Sequence, residues 1–145
     1  MRKYVVCLPI FLFAATISNA QTAEDSVKQV ISNLFKAAFE ADSLAVVSCF
    51  WDQAIIQSPN VTNIKNESPN SLASTFGKLR KGQLDERIEF GFIHIDRYLA
   101  SVWTPYRLYI DGKFIHCGVD SFQLIRRNGV WKISHLIDTR RKDCD

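Results

Sequence analysis

Residues 100–140 run ASVWTPYRLYI, DG, KFIHCGVDSFQLIRR, NG, VWKISHLIDTR. Three long runs rich in β-branched and aromatic residues are separated by Asp111-Gly112 and Asn128-Gly129. Each dipeptide signals a two-residue hairpin, because the favoured turn needs positive φ at its centre and Asp, Asn and Gly tolerate it. The stretch therefore reads as three antiparallel strands, Ala100 to Ile110, Lys113 to Arg127 and Val130 to Arg140. Two-residue turns put Ile110 opposite Lys113 and Arg127 opposite Val130. Carried along the strands, that register gathers Trp103, Asp120, Phe122, Trp131, His135 and Ile137 on one face. The other face receives Val102, Thr104, Tyr106, Leu108, Asp138 and Arg140. The aromatic-rich face is expected inside; the second, half apolar, is a candidate subunit interface. A bulge in either hairpin would exchange the faces beyond it.

Upstream, Thr22 followed by Asp25 marks a helix start. Val27, Val30, Ile31, Leu34, Phe35 and Ala38 then recur at helical spacing, predicting a helix over 23–40. Asp42 can cap a second short helix, Ser43 to Phe50. Trp51 to Gln57 reads as a strand, and Ser58 to Asn70 as a polar loop. Pro69 to Leu79 forms a third helix with Leu72 and Phe76 inward, and Arg87 to Ile95 alternates as one further strand. Helices followed by a meander give an α+β domain, helices packed on one face of a curved antiparallel sheet.

The chain has 145 residues, 47% of them hydrophobic, and a formal net charge of +3. That is one domain, with too much apolar content for disorder and too balanced a charge for nucleic acid. Residues 1–20 carry a basic start (Arg2, Lys3), an apolar run from Val5 to Ala15, and small residues Ser18 and Ala20 at a cleavage position. They read as a signal peptide, too short in its apolar run to span a membrane. The domain is then 21–145, exported to a periplasm or secreted, with no membrane span after removal of the signal. Without Arg2 and Lys3, the 18 basic side chains become 16 against 15 acids. Cys7 leaves with the signal, so Cys49, Cys117 and Cys144 remain in an oxidising compartment. Cys49 sits in an apolar run and suits burial; Cys117 and Cys144 are the better disulfide pair.

The order of elements resembles the nuclear transport factor 2-like superfamily, which includes ketosteroid isomerases, scytalone dehydratase and polyketide cyclases. Val102-Trp103-Thr104-Pro105-Tyr106, Asp111-Gly112-Lys113-Phe114, His116-Cys117-Gly118-Val119-Asp120, Gly129-Val130-Trp131-Lys132-Ile133 and Ile137-Asp138-Thr139-Arg140 resemble an exported bacterial subgroup of unassigned function. The resemblance covers nearly all of 24–142. It implies a cone-shaped fold with a deep pocket between helices and concave sheet, and a homodimer through the outer sheet face.

Asp120 is the sharpest chemical candidate. A carboxyl buried among aromatic residues loses hydration, its pKa rises, and it can serve as general acid or base. The other reading is a structural Asp paired with an Arg or with backbone amides. The register sets it opposite Trp103 and Ile137 and diagonal to His135, which is either a helper or a satisfied core histidine. His116 lies on the order of 20 Å from His135, too far to share a metal. Tyr106, His116, Trp103 and Trp51 are candidate pocket walls, and Trp131 is core. His94 either lines the pocket mouth or lies on the surface. Asp138 and Arg140, at i and i+2, form an ion pair, or enter the pocket if a bulge turns them inward. No zinc spacing, phosphate loop, nucleophile elbow or HExxH is present, so neither metal nor cofactor is expected.

Three functions fit. The first is an exported pocket protein for a small molecule of apolar or mixed polarity. The second is an isomerase, dehydratase or cyclase using Asp120 with His135 assisting. The third is a dimeric interaction module without a ligand, for which Phe122, Leu124 and Trp131 would fill the pocket.

Overall fold

The computed structural model describes residues 22–59 and 62–144. Residues 1–20, expected as a signal peptide and containing Cys7, lie outside the described residues, as do Gln21, Asn60, Val61 and Asp145. Helix α1 spans Ala23–Glu40 and begins with a full capping box: Thr22 Oγ1 accepts from the Asp25 amide at 3.0 Å, and Asp25 accepts from the Thr22 amide at 3.3 Å. Its apolar stripe, Val27, Ile31, Leu34, Ala37 and Ala38, is buried. Asp42 caps α2 (Ser43–Ser48), which stops two residues short of the expected Phe50 because Phe50 opens the next strand. Helix α3 (Pro69–Phe76) starts with Pro at its first turn and Ser68 as cap. Among the described residues no helix is long and apolar enough to cross a membrane.

Seven strands make one sheet: β1 (Phe50–Pro59), β2 (Ile64–Glu67), β3 (Leu84–Ile88), β4 (Phe92–Asp96), β5 (Leu99–Ile110), β6 (Lys113–Arg127) and β7 (Val130–Arg141). Their order is β2-β1-β7-β6-β5-β3, with β4 also on β5. The sheet is mixed rather than wholly antiparallel, since β1 runs parallel to β7. Two expected boundaries change. The polar stretch after Ser58 is not all loop: Ile64–Glu67 pairs with the end of β1, and Gln57 donates across to Asn66 at 2.8 Å. The strand expected over 87–95 is two strands, parted at Glu89–Gly91 beside Pro105. Pro105 has no amide to donate to that edge, and a side chain at Gly91 would press on the Trp103 carbonyl at 3.1 Å.

Both hairpins have two-residue turns with positive φ, 50° and 75° at Asp111 and Gly112, and 51° and 83° at Asn128 and Gly129. The expected pairing holds only near the turns. One bulge shifts the β5–β6 register between Leu108 and Tyr109, and a second shifts β6–β7 between Gln123 and Leu124. Each inserts one residue and exchanges the faces beyond it. Asp120 therefore lies opposite Thr104 and Asp138, not Trp103 and Ile137. Val102, Thr104 and Tyr106 turn to the buried side, and Leu108, Asp138 and Arg140 join them there; Trp103 and His135 turn outward.

The core lies between the inner sheet face and the helices. Val27, Ile31 and Leu34 of α1 meet Val102, Phe122, Leu124, Trp131 and Ile133. Phe35 packs edge-on against Phe122 with ring centroids 6.2 Å apart. Cys49 is a free, buried thiol, and Cys117 is joined to Cys144 by a disulfide with a Cα–Cα distance of 6.1 Å.

Candidate functional site

A cavity of about 280 Å³ opens between the concave sheet face and helices α1 and α3. Its apolar wall comes from Leu34, Phe35 and Ala38 of α1, Leu72 and Phe76 of α3, and Ile56, Leu84, Leu108 and Leu136 of the sheet. Its polar groups are Ser58, Glu86, Tyr106, His116, Asp120, Asp138 and Arg140, with Lys65, Glu67 and Thr75. Phe122, Leu124 and Trp131 pack in the core and leave this space open.

Asp120 is 4% exposed. The Thr104 hydroxyl donates to its main-chain carbonyl at 3.4 Å, while its carboxyl Oδ2 is buried without any hydrogen-bond partner. An orphaned buried acceptor is expensive, on the order of 1–3 kcal/mol. Burial first, then the charges of Glu86 and Asp138, push the Asp120 carboxyl well above the usual carboxylate range; Arg140 and the Thr104 hydroxyl only partly oppose this. Asp120 therefore keeps its proton into the range where ordinary carboxyls have lost theirs.

Glu86 belongs to the same constellation. It lies between Leu84 and Ile88 on one strand face and opposite Leu108. Burial, followed by the charge of Asp138, raises its pKa from 4.5 to about 7, with Arg140 pulling the other way. Asp138 differs, because it is fully engaged. The Arg140 Nε donates to it at 2.7 Å, the Ser58 hydroxyl donates to its other oxygen, and Arg140 also reaches Ser58 at 3.3 Å. Burial pulls the Arg140 guanidinium down, but Asp138 more than offsets this and its pKa is raised.

Gly118 makes room for the third part of the polar wall. A Cβ there would overlap the Thr139 carbonyl and stand 2.9 Å from the Tyr106 ring. The bare backbone lets Tyr106 lie across the strand, donate to the Thr139 carbonyl at 2.9 Å, and meet His116 Nδ1 at 3.2 Å. With its one proton given to Thr139, the Tyr106 hydroxyl accepts from His116 Nδ1–H. Burial, then the Arg140 charge, lowers the His116 pKa and favours this neutral ring. Burial is also the largest of the influences that raise the Tyr106 pKa and keep it protonated.

The structure thus brings together Asp120, Tyr106, His116, Asp138 and Arg140. It separates the other sequence candidates from them. His135 faces the outer side, where its Nε2 meets Gln57 Oε1 at 2.9 Å. Trp103 is 40% exposed and stacks on Phe92 on that same outer face. His94 sits beside Phe92 with ring centroids 5.2 Å apart, also away from the cavity. Trp51 donates to the Ile125 carbonyl at 3.0 Å and carries Arg127 and Lys132 over its ring. Glu86 was missed because Leu84-Asp85-Glu86-Arg87-Ile88 looks like a charged connection. The signal is the period-two run Leu84, Glu86, Ile88, an acid between two apolar positions of one face.

No protein-family model matches the sequence, and no curated protein matches it. Solved structures do match. A nuclear transport factor 2-like protein of unknown function from Shewanella baltica aligns with a TM-score of 0.68 at 18% identity, covering 83% of this chain and 94% of that one. One from Shewanella oneidensis aligns with a TM-score of 0.68 at 16% identity, covering 81% and 99%. A domain of unknown function with a cystatin-like fold from Nostoc punctiforme aligns at 0.69 and 13% identity, covering 87% and 80%. The chain has the nuclear transport factor 2-like fold.

Proposed function

We propose that this protein is an exported pocket protein that holds one small molecule with an apolar body and a single polar end. The observation that carries the reading is Asp120: a buried carboxyl oxygen without a partner, on the wall of an open cavity of about 280 Å³ that is otherwise largely apolar. A ligand group that bonds to Asp120 removes the cost of the orphan, and the apolar wall supplies the rest of the binding. Export is supported by the signal-like residues 1–20 and by the Cys117–Cys144 disulfide, which suits an oxidising compartment. A homodimer through the outer sheet face is supported by exposed Ile55, Phe92 and Trp103.

The test is native mass spectrometry on protein isolated gently from its host. A molecule retained in the native spectrum, released on denaturation and lost in Asp120→Asn, is the expected result. Protein that arrives empty and takes up no hydrophobic probe sinks the reading.

A second reading has an observation of its own. Two neighbouring carboxyls with raised pKa, one at about 7, suit proton transfer near neutrality. The protein would then be an isomerase, dehydratase or cyclase with Asp120 as general acid or base and Glu86, not the outward-facing His135, as its companion. Turnover of the released molecule by wild type but not by a folded, ligand-binding Asp120→Asn distinguishes this reading from simple binding.

A further inference from the structure

We infer that the cavity takes a cationic ligand, a primary or secondary amine on an apolar body, with its ammonium seated between Glu86 and Asp120. This rests on the reading of the cavity as a small-molecule site and names the chemistry of the polar end.

The argument is a charge inventory of every element facing the cavity. From β2, Lys65 and Glu67 neutralise each other at 2.6 Å. From β7, Asp138 and Arg140 do the same at 2.7 Å, and Arg140 is further tied to Ser58. On β5 and β6, Tyr106 and His116 are bonded to each other, and burial holds both in their neutral forms. Helices α1 and α3 bring only apolar side chains and Thr75. What is left is Glu86 from β3 and Asp120 from β6, with no ion-pair partner among the described residues. The surplus is two acids and no base.

An ammonium fits that surplus in three ways. It favours the ionised form of both carboxyls and carries the charge that balances them, its N–H groups donate to Asp120 Oδ2, and it offsets the repulsion that otherwise keeps the two acids protonated. An anion would have to face both acids, because Arg140 is already committed. A neutral alcohol satisfies the orphan but leaves the repulsion. Among the described residues no group of three or more His, Cys, Asp or Glu is placed to hold a metal ion, so an organic cation suits the site better than a bare one. The surrounding Phe35, Leu72, Phe76 and Leu84 then require an apolar body on the amine.

The test compares three matched probes on the disulfide-bonded protein by calorimetry: 4-phenylbutylamine, 4-phenylbutan-1-ol and 4-phenylbutyrate. The amine is expected to bind tightest at pH 8. Its affinity should fall about tenfold at pH 6, because the carboxyls take up protons while an alkylammonium keeps its own to about pH 10. Glu86→Gln should weaken the amine about tenfold and leave the alcohol unchanged. Asp120→Asn should weaken the amine at least as much, and the alcohol less, because the alcohol also bonds to Asp120; Glu86→Gln keeps the test decisive if Asp120→Asn fails to fold. An alcohol or carboxylate that binds as tightly as the amine overturns the cation inference but leaves the pocket reading standing. Binding of none of the three overturns both.

Discussion

Glu86 ties stability to pH in a direction opposite to an ion-paired carboxylate. Its folded pKa, about 7, lies above the ordinary 4.5, so the folded chain holds the proton more tightly than the unfolded chain does. The benefit is full below about pH 4.5 and is lost as pH rises through about 7, and Asp120 adds to the same trend. Wild-type protein should therefore lose stability between pH 5 and pH 8. Glu86→Gln, which cannot ionise, should be more stable than wild type at pH 8, by up to about 3 kcal/mol, and should show a flatter profile. Urea unfolding at the two pH values checks this; parallel profiles would assign the trend to other groups. Gly118→Ala should act on the same wall by overlap rather than charge. Its Cβ meets the Thr139 carbonyl and the Tyr106 ring, so the cost should be about 3 kcal/mol or more, read from the urea midpoint. At this scale Asp120 was legible, because an acid in a strand rich in large apolar residues is conspicuous. Glu86 was hidden among the charges of Asp85 and Arg87, and only the pairing of β3 with β5 reveals which of the three faces inward.

Elements were legible where a local rule sets them. Thr22 and Asp25 start α1 through reciprocal hydrogen bonds that any three-residue spacing of this kind can make. Thr22→Ala should remove that cap and cost about 1 kcal/mol in urea unfolding, with the cavity and its ligand affinity untouched. The two hairpin turns were equally plain. Register was not, for a physical reason: a bulge is one extra residue, and Ile115 and Ser134, where the pairings slip, carry no turn chemistry that marks them. Two such slips moved Trp103 and His135 out of the expected pocket and moved Asp138 and Arg140 into it. The polar wall of the cavity is thus a product of the bulges as much as of its residues. Without the slip near Ser134, Asp138 and Arg140 would pair on the outer face and Asp120 would have an apolar neighbour.

For the molecule as a whole, the same slips decide what the outer face offers. The strands place Phe92, Trp103, Ser121 and Ile137 side by side across β4, β5, β6 and β7. Phe92 and Trp103 stack at 5.8 Å and remain 45% and 40% exposed, with Ile55 of β1 at 50%. Small side chains, Ser101 and Ser121, lie between these larger ones and keep the surface shallow enough for a second sheet to approach. A two-fold dimer on this face would bring each patch onto its own copy, so one substitution acts twice. Trp103→Arg would set two guanidinium groups into an apolar contact without touching the cavity, which lies on the opposite side of the sheet. The expected outcome in sedimentation velocity is a wild-type dimer and a folded Trp103→Arg monomer that still binds the wild-type ligand. A wild type that sediments as a monomer at micromolar concentration removes the dimer and leaves the exposed aromatic pair for a different protein partner. A Trp103→Arg variant that stays dimeric places the interface elsewhere.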